Sequence, residues 1–111
     1  MKFSQLVKWL DKRNTEDKIL LRAVFGSDYQ TLQSAIAKGA DVNTYDRIGL
    51  TPLLVAIYRG DIKAVELLLA AGADPNRPAR GDPSATPLWH AAEDFGLVEI
   101  ADLLRRAGGK A

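Results

Sequence analysis

A five-residue segment of this chain recurs with one change, and the starts of the two copies are 33 residues apart. Residues 39–43 are Gly-Ala-Asp-Val-Asn, and residues 72–76 are Gly-Ala-Asp-Pro-Asn. The tripeptide Thr-Pro-Leu also occurs twice, beginning at Thr51 and at Thr86. A period of this length is typical of small units that stack, because one unit alone cannot bury its apolar face. Stacked units build an extended surface, so we expect a chain that holds another macromolecule rather than one that encloses a reaction chamber.

The middle unit shows most clearly how each unit is built. Thr51 can cap a helix with its hydroxyl, and Pro52 suits the first helical position, where its missing N–H would have no partner. Gly60 suits the left-handed residue that ends a helix, and Asp61 can cap the next helix. That second helix carries apolar residues at helical spacing, which are Ile62, Val65, Leu68 and Leu69. Each unit is therefore predicted to be a pair of short helices.

The first and third units follow the same plan with changes. Asp28 stands in the place of the cap Asp61 in the first unit, and Leu97 stands there in the third. The third unit also has one extra residue within the segment 93–95. Arg105 occupies an apolar position of the second helix, which suits a terminal unit because nothing packs beyond it.

The N-terminal segment predicts an amphipathic helix that covers the open side of the first unit. Its apolar residues lie at positions i, i+3, i+4 and i+7, and they are Phe3, Leu6, Val7 and Leu10. We expect a single domain over residues 1–111. Its predicted parts are a capping helix at 1–13, a first repeat at 14–45, a second at 46–78, and a third at 79–111 that also caps the C-terminal end.

Composition and charge exclude several classes of function. Lys and Arg number 15 against 14 Asp and Glu, so the formal net charge is only +1. That charge is too small to favour binding to nucleic acid or to an anionic membrane. The chain has no cysteine, which excludes disulfides, thiolate metal sites and cysteine catalysis. It also lacks a signal-peptide pattern and any apolar run of about 18 residues, so we expect a cytoplasmic protein.

The residues that could carry chemistry are few. His90 is the only histidine, and a catalytic pair or a zinc site needs more partners than it has. Paired carboxylates such as Glu99 and Asp102 are expected on solvated helix faces, and no phosphate-binding glycine motif occurs. We therefore expect no enzyme activity, no cofactor and no metal. His90 is expected to face a groove beside Glu93 and Asp94, and a pH-sensitive contact between them is the alternative.

These repeated motifs resemble the ankyrin repeat family, whose signature is Thr-Pro-Leu-His-x-Ala with a 33-residue period. Here residues 51–56 read Thr-Pro-Leu-Leu-Val-Ala and residues 86–91 read Thr-Pro-Leu-Trp-His-Ala. The resemblance covers roughly residues 15–109. Two departures stand out: Leu54 and Trp89 replace the histidine that ties the family's loops, and the link before the third unit has two extra residues.

The resemblance implies an all-α fold, namely an ankyrin repeat solenoid of stacked antiparallel helix pairs with projecting β-turn loops. It also implies a concave face made of those loops and of the first helix of each pair. Ankyrin proteins mostly bind other proteins and are not catalytic. Transferred by register, the partner-binding positions are Arg22, Phe25, Tyr45, Arg47, Ile48, Leu50, Val55, Tyr58, Arg59, Arg80, His90, Glu93 and Asp94.

The residue types at these positions indicate the kind of partner. Aromatic and arginine side chains are the usual anchors of protein interfaces, so we expect a monomer that binds another protein, one with an acidic patch. Trp89 either packs beneath a loop or is exposed for contact, and the link 77–83 either reaches the partner or bridges the units. The alternative function is a bacterial immunity or inhibitor-type protein that blocks a partner enzyme or toxin stoichiometrically. A self-assembling subunit and a metal-dependent enzyme are the other classes.

Overall fold

The computed structural model describes Lys2 and residues 15–111. In this part of the chain the secondary structure is entirely helical, with no strand. The predicted capping helix lies, apart from Lys2, outside the described residues. The helices are α1 (residues 15–25), α2 (Tyr29–Ala37), α3 (Pro52–Tyr58), α4 (Ile62–Ala70), α5 (Pro87–Trp89), a π-helical turn (His90–Asp94) that continues α5, and α6 (Val98–Arg106).

We call α1, α3 and α5, the first helix of each pair, the inner helices, and α2, α4 and α6 the outer helices. The two Thr-Pro motifs begin the inner helices α3 and α5, as the sequence predicts. The Thr51 hydroxyl accepts a hydrogen bond from the Leu54 amide at 3.1 Å, and the Thr86 hydroxyl accepts one from the Trp89 amide at 3.1 Å. In both helices proline occupies the first turn, where no backbone N–H is required. Gly60 ends the inner segment of the middle unit at a φ of +65°, in the left-handed region.

The outer helices α2, α4 and α6 begin at the predicted residues. The Asp28 carboxylate accepts from the Thr31 amide, and the Asp61 carboxylate accepts from the Ala64 amide at 3.1 Å. Leu97 precedes α6 and makes no side-chain cap. The third outer helix therefore starts without the hydrogen bond that stabilises the other two.

The helix pairs stack through one continuous apolar core. Helix α3 packs against α4 within its unit, and both contact the third unit, α3 through α5 and α4 through α6. Of the predicted stripe in α4, Val65 and Leu68 are fully buried, while Ile62 and Leu69 are half-buried against the core. The fold is the all-α repeat architecture that the sequence predicts.

Side-chain hydrogen bonds link the turns of neighbouring units. The Asn43 side-chain oxygen accepts from the Asp74 amide at 2.7 Å. One repeat later the Asn76 oxygen accepts from the Lys110 amide at 2.8 Å. The same asparagine in each repeated segment thus satisfies a backbone donor of the next unit, which explains why the segment recurs with the stacking period.

The extra residue of the third unit is accommodated in the π-helical turn. The Phe95 amide donates to the His90 carbonyl at 3.0 Å, five residues back, and the Leu97 amide donates to the Ala91 carbonyl at 2.6 Å. A π-turn is the usual way for a helix to absorb one inserted residue, and such turns occur often at functional sites. The insertion therefore leaves the core register intact and displaces only the exposed end of the inner segment.

Candidate functional site

The loop before α3 is a closed tip that exposes one apolar side chain. The Asp46 carboxylate accepts hydrogen bonds from the amides of Ile48 at 3.0 Å and Leu50 at 2.9 Å. Ile48 is 77% exposed, whereas Leu50 is half-buried against the core. Of the two apolar residues predicted to contact a partner at this tip, Ile48 is the exposed one.

The long link before the third unit packs on this loop. The Arg80 amide donates to the Gly49 carbonyl at 2.8 Å, and the Tyr45 hydroxyl donates to the Pro78 carbonyl at 3.0 Å. The guanidinium groups of Arg77 and Arg80 lie 4.4 and 4.6 Å from the centroid of the Tyr45 ring. These contacts tie adjacent loops together although the family's loop histidine is missing. The link bridges the units, and Arg80 remains exposed.

An open groove of about 550 Å³ lies between α1 and the loop that follows α2. We call it the cationic groove. Three of the predicted contact residues line it, namely Arg22, Tyr45 and Arg47, together with Lys18. The register transfer therefore placed these residues, which are distant in sequence, around one concavity.

In the cationic groove the carboxylates accept hydrogen bonds from the backbone, whereas the cations have no ion pair among the described residues. Its two carboxylates are engaged by backbone donors: Asp17 accepts one amide at 2.8 Å, and Asp46 accepts two at the loop tip. Lys18, Arg22 and Arg47 form no ion pair with any described residue. The groove thus offers a ligand three cations that have no ion pair among the described residues.

Aromatic rings gather at the C-terminal end of α3 and on the π-turn. We call Tyr58, Trp89, His90 and Phe95 the aromatic cluster. The Tyr58 ring lies edge-on to His90 and to Phe95, with centroid distances of 5.3 Å in both cases, and Trp89 lies 5.2 Å from His90. Tyr58, Trp89 and Phe95 are each 43% exposed. An exposed group of large aromatic side chains is typical of a contact surface.

Two further predicted residues, Phe25 and Arg59, are in contact with each other. The Arg59 guanidinium is 5.0 Å from the centroid of the Phe25 ring, which is 66% exposed. This contact joins the first unit to the second on the accessible surface.

Two predicted contact residues are buried. Val55 and His90 are each only 7% exposed. The His90 Nδ1 lies 3.4 Å from a carboxylate oxygen of Asp94, and its Nε2 is buried with no hydrogen-bond partner among the described residues. These two side chains lie beneath the accessible surface and support it, because register identifies the face of a helix but not the depth of a side chain.

Carboxylates lie near the aromatic cluster. Glu93 and Asp94 are exposed on the π-turn. Burial raises the pKa of the Tyr58 hydroxyl, and the negative charges of Asp94 and Asp82 raise it further. Phe95 is not among the predicted contact residues, because a register taken from regular repeats has no position for an inserted residue. The insertion itself is the signal that could have drawn attention to it.

In residues 2 and 15–111, no helix is long and apolar enough to cross a membrane. Nor do three or more histidine, aspartate or glutamate side chains in that part of the chain gather in a way that would hold a metal ion.

Comparison with known proteins gives a consistent result. The family model described as ankyrin repeats (3 copies) matches residues 19–110. The chain is 34% identical over 93 residues to the mitochondrial disaggregase of Bos taurus, covering 84% of this chain and 13% of that protein. It is 32% identical over 97 residues to cyclin-dependent kinase 4 inhibitor B of Mus musculus, covering 86% of this chain and 72% of that protein. The chain thus spans only 12–13% of the length of the bovine and human disaggregases.

Proposed function

Since this chain belongs to the ankyrin repeat family, we propose that it is a non-catalytic module that binds a partner protein on its concave face and loop tips. Ankyrin repeats generally mediate protein–protein interaction, and the family is generally non-catalytic. The observation that carries the proposal is the exposed contact between Phe25 and Arg59, with exposed Tyr58 beside it in sequence. Aromatic and arginine side chains of this kind supply most of the binding energy at protein interfaces.

The cationic groove supports a partner with an acidic patch. Lys18, Arg22 and Arg47 have no ion pair within the described residues, while the groove's carboxylates are engaged by backbone amides. A carboxylate of the partner would form charge-assisted hydrogen bonds with these cations, which are stronger than hydrogen bonds between neutral groups. Complementary charge would also speed association and fix the orientation of docking.

A second candidate is an inhibitor-type function, in which the chain blocks a partner enzyme or toxin stoichiometrically. The observation that favours it is the match to cyclin-dependent kinase 4 inhibitor B, of which this chain covers 72%. That protein is an inhibitor by name. We propose the same mode of action for this chain as an alternative to simple tethering, and it requires the same surface.

We further propose that the protein is a cytoplasmic monomer. Arg105 on α6 is exposed and pairs with Asp102 at 3.1 Å. Covering this pair by end-to-end stacking would remove two charges from water at a cost that their mutual attraction offsets only in excellent geometry. Light scattering that gives the mass of one chain at all concentrations supports the monomer, and a mass that rises with concentration contradicts it.

Affinity capture with surface variants tests the binding proposal. The tagged protein, the Tyr58→Ala/Arg59→Glu variant and the Val98→Ala/Arg106→Glu variant are each used to capture proteins from the native host. The control variant makes the same kinds of change on α6, where Val98 is 71% exposed. We expect a protein that is captured by the wild type and the control and lost with Tyr58→Ala/Arg59→Glu. Capture that ignores both variants, or no specific capture at all, contradicts the proposal.

A further inference from the structure

We infer that the aromatic cluster and its carboxylates form a second subsite, which binds an arginine side chain of the partner. The inference rests on the proposed function and refines it. An acidic patch on the partner accounts for the cationic groove at the first unit. It assigns no role to the π-turn of the third unit, where Glu93 and Asp94 are exposed beside the aromatic side chains Trp89 and Phe95.

The rings of the cluster do not fully cover one another's π-faces. Tyr58 meets His90 and Phe95 at interplanar angles of 71° and 76°, while His90 and Phe95 are nearly parallel at 24° with centroids 6.4 Å apart. Edge-to-face pairs leave part of each face open, and Tyr58 and Phe95 are both 43% exposed. The face of an aromatic ring attracts a cation through its quadrupole.

Among the described residues, the carboxylates beside these rings have no Lys or Arg partner. Glu93 and Asp94 are exposed, and no Lys or Arg of the described residues forms an ion pair with either. The nearest arginines in register are engaged elsewhere, since Arg59 lies over Phe25 and Arg80 lies over Tyr45. The negative charge at this end of the surface is therefore available to a ligand.

His90 gives an independent indication that the cluster is a site rather than a solvated helix end. Only 7% of His90 is exposed, and its ring lies next to those of Tyr58, Trp89 and Phe95. Its Nε2 has no hydrogen-bond partner among the described residues. A buried polar atom without a partner costs free energy. Nδ1, at 3.4 Å from Asp94, is placed to orient that carboxylate.

An arginine fits this arrangement better than a lysine. The guanidinium is planar, so one face can stack on an aromatic ring while its edge donates two hydrogen bonds to a carboxylate. A lysine ammonium is a strongly hydrated point charge that cannot make both contacts in this way. Together with the cationic groove, the subsite gives the concave surface a direction. The docked segment presents its acidic residues to the first unit and its arginine to the third.

A titration followed by NMR tests the subsite without knowledge of the partner. The probe is Nα-acetyl-arginine amide, and the control ligand is Nα-acetyl-citrulline amide, which has the same shape but no charge. We expect saturable shifts of the Trp89 indole N–H and of the backbone amides of residues 93–95 with the arginine probe. The citrulline control should leave those signals in place.

Two variants of the subsite and one control variant refine the test. Asp94→Asn should weaken arginine binding about threefold to fivefold, and Phe95→Leu should weaken it by a similar factor. Glu99→Gln removes one exposed carboxylate on α6 and should leave binding unchanged. Equal shifts with arginine and citrulline, no saturable shift, or shifts confined to α6 overturn the inference. The wild-type comparison needs no variant, so it decides even if a substitution disturbs folding.

The outcome is separable from the test of the proposed function. If a protein is captured through Tyr58 and Arg59 but arginine causes no specific shift, the binding module is supported and the arginine subsite is contradicted. If arginine causes a specific shift but no protein is captured, the subsite is supported and the proposed partner protein is contradicted.

Discussion

The guanidinium carbon of Arg59 lies 5.0 Å from the centroid of the Phe25 ring. Phe25 is the last residue of α1, and Arg59 directly follows α3, so the contact connects corresponding ends of two neighbouring inner helices. The attraction between cation and ring holds both exposed side chains in one arrangement before any partner arrives. Side chains ordered in advance lose less conformational entropy on binding.

Replacing Phe25 should therefore separate binding from stability. Because Phe25 is 66% exposed, Phe25→Ala should change the free energy of unfolding by less than about 1 kcal/mol. The same change should weaken binding of the captured protein by about tenfold, since an aromatic anchor and the ordering of Arg59 are both lost. Urea denaturation and calorimetric titration measure the two quantities. An unchanged affinity would show that this contact is not part of the interface.

Asp61 should contribute more to stability than its counterpart Asp28. Its carboxylate caps α4 and also accepts hydrogen bonds from Ser27 at 2.7 Å and Tyr29 at 2.8 Å, both in the preceding unit. Asp61→Ala should lower the free energy of unfolding by roughly 2–3 kcal/mol. Asp28→Ala is the matched control, because Asp28 caps α2 through Thr31 alone. Equal losses in the two variants, measured by urea denaturation, would mean that the bonds between units add nothing.

The ionisation of Asp61 should make stability depend on pH in acid. Burial alone would raise the pKa of this carboxyl, but hydrogen bonds from Ser27, the Ala64 amide and Tyr29 outweigh burial, so its pKa is lowered. The unfolded chain then binds the proton more readily than the folded chain. The stabilisation is present above the ordinary pKa of about 3.9 and is lost as the pH falls through the lower folded value.

The Asp61→Asn variant isolates this effect, because asparagine also caps helices but does not ionise. Its free energy of unfolding should fall less steeply than that of the wild type below about pH 4. The remaining slope includes Asp28, whose pKa is lowered mainly by the Thr31 hydroxyl and also by its amide. Parallel curves for wild type and variant, from denaturation at a series of pH values, would contradict the assignment.

Gly49 should be more sensitive to substitution than Gly72. Both have a positive φ, +88° and +94°, so alanine is strained at either position by about 1–2 kcal/mol. A Cβ at Gly49 would also lie 2.9 Å from the Cβ of Arg80, whereas nothing lies within 4 Å of one at Gly72. Gly49→Ala should therefore cost at least about 1 kcal/mol more than Gly72→Ala in urea denaturation. Equal costs would show that the contact between the loop and the link is loose.

The parts of the fold that follow from local chemistry could be predicted from the sequence. Thr51, Asp61 and Gly60 act through their own backbone neighbours, so their residue types identify their roles. Stacking follows from the period, because the same apolar positions must meet the same neighbours in each unit. For this reason the all-α repeat fold could be predicted from the sequence.

The parts of the candidate site that depend on depth and on irregular backbone could not be predicted. Register places Val55 and His90 on the inner face, but only packing by neighbouring side chains decides that they are buried. Phe95 enters the surface through a π-turn whose form no repeat pattern specifies. The packing of Arg80 on Gly49 joins two loops of irregular conformation, and the sequence left open whether the link bridges the units.

The affinity of the captured protein for two variants tests the central claim most directly. Isothermal titration calorimetry is performed with the wild type, with Tyr58→Ala/Arg59→Glu at the end of α3, and with Val98→Ala/Arg106→Glu on α6. The account predicts a loss of about tenfold or more for the first variant and a change of less than about twofold for the second. Equal affinities for all three proteins, or a greater loss with the α6 variant, would contradict it.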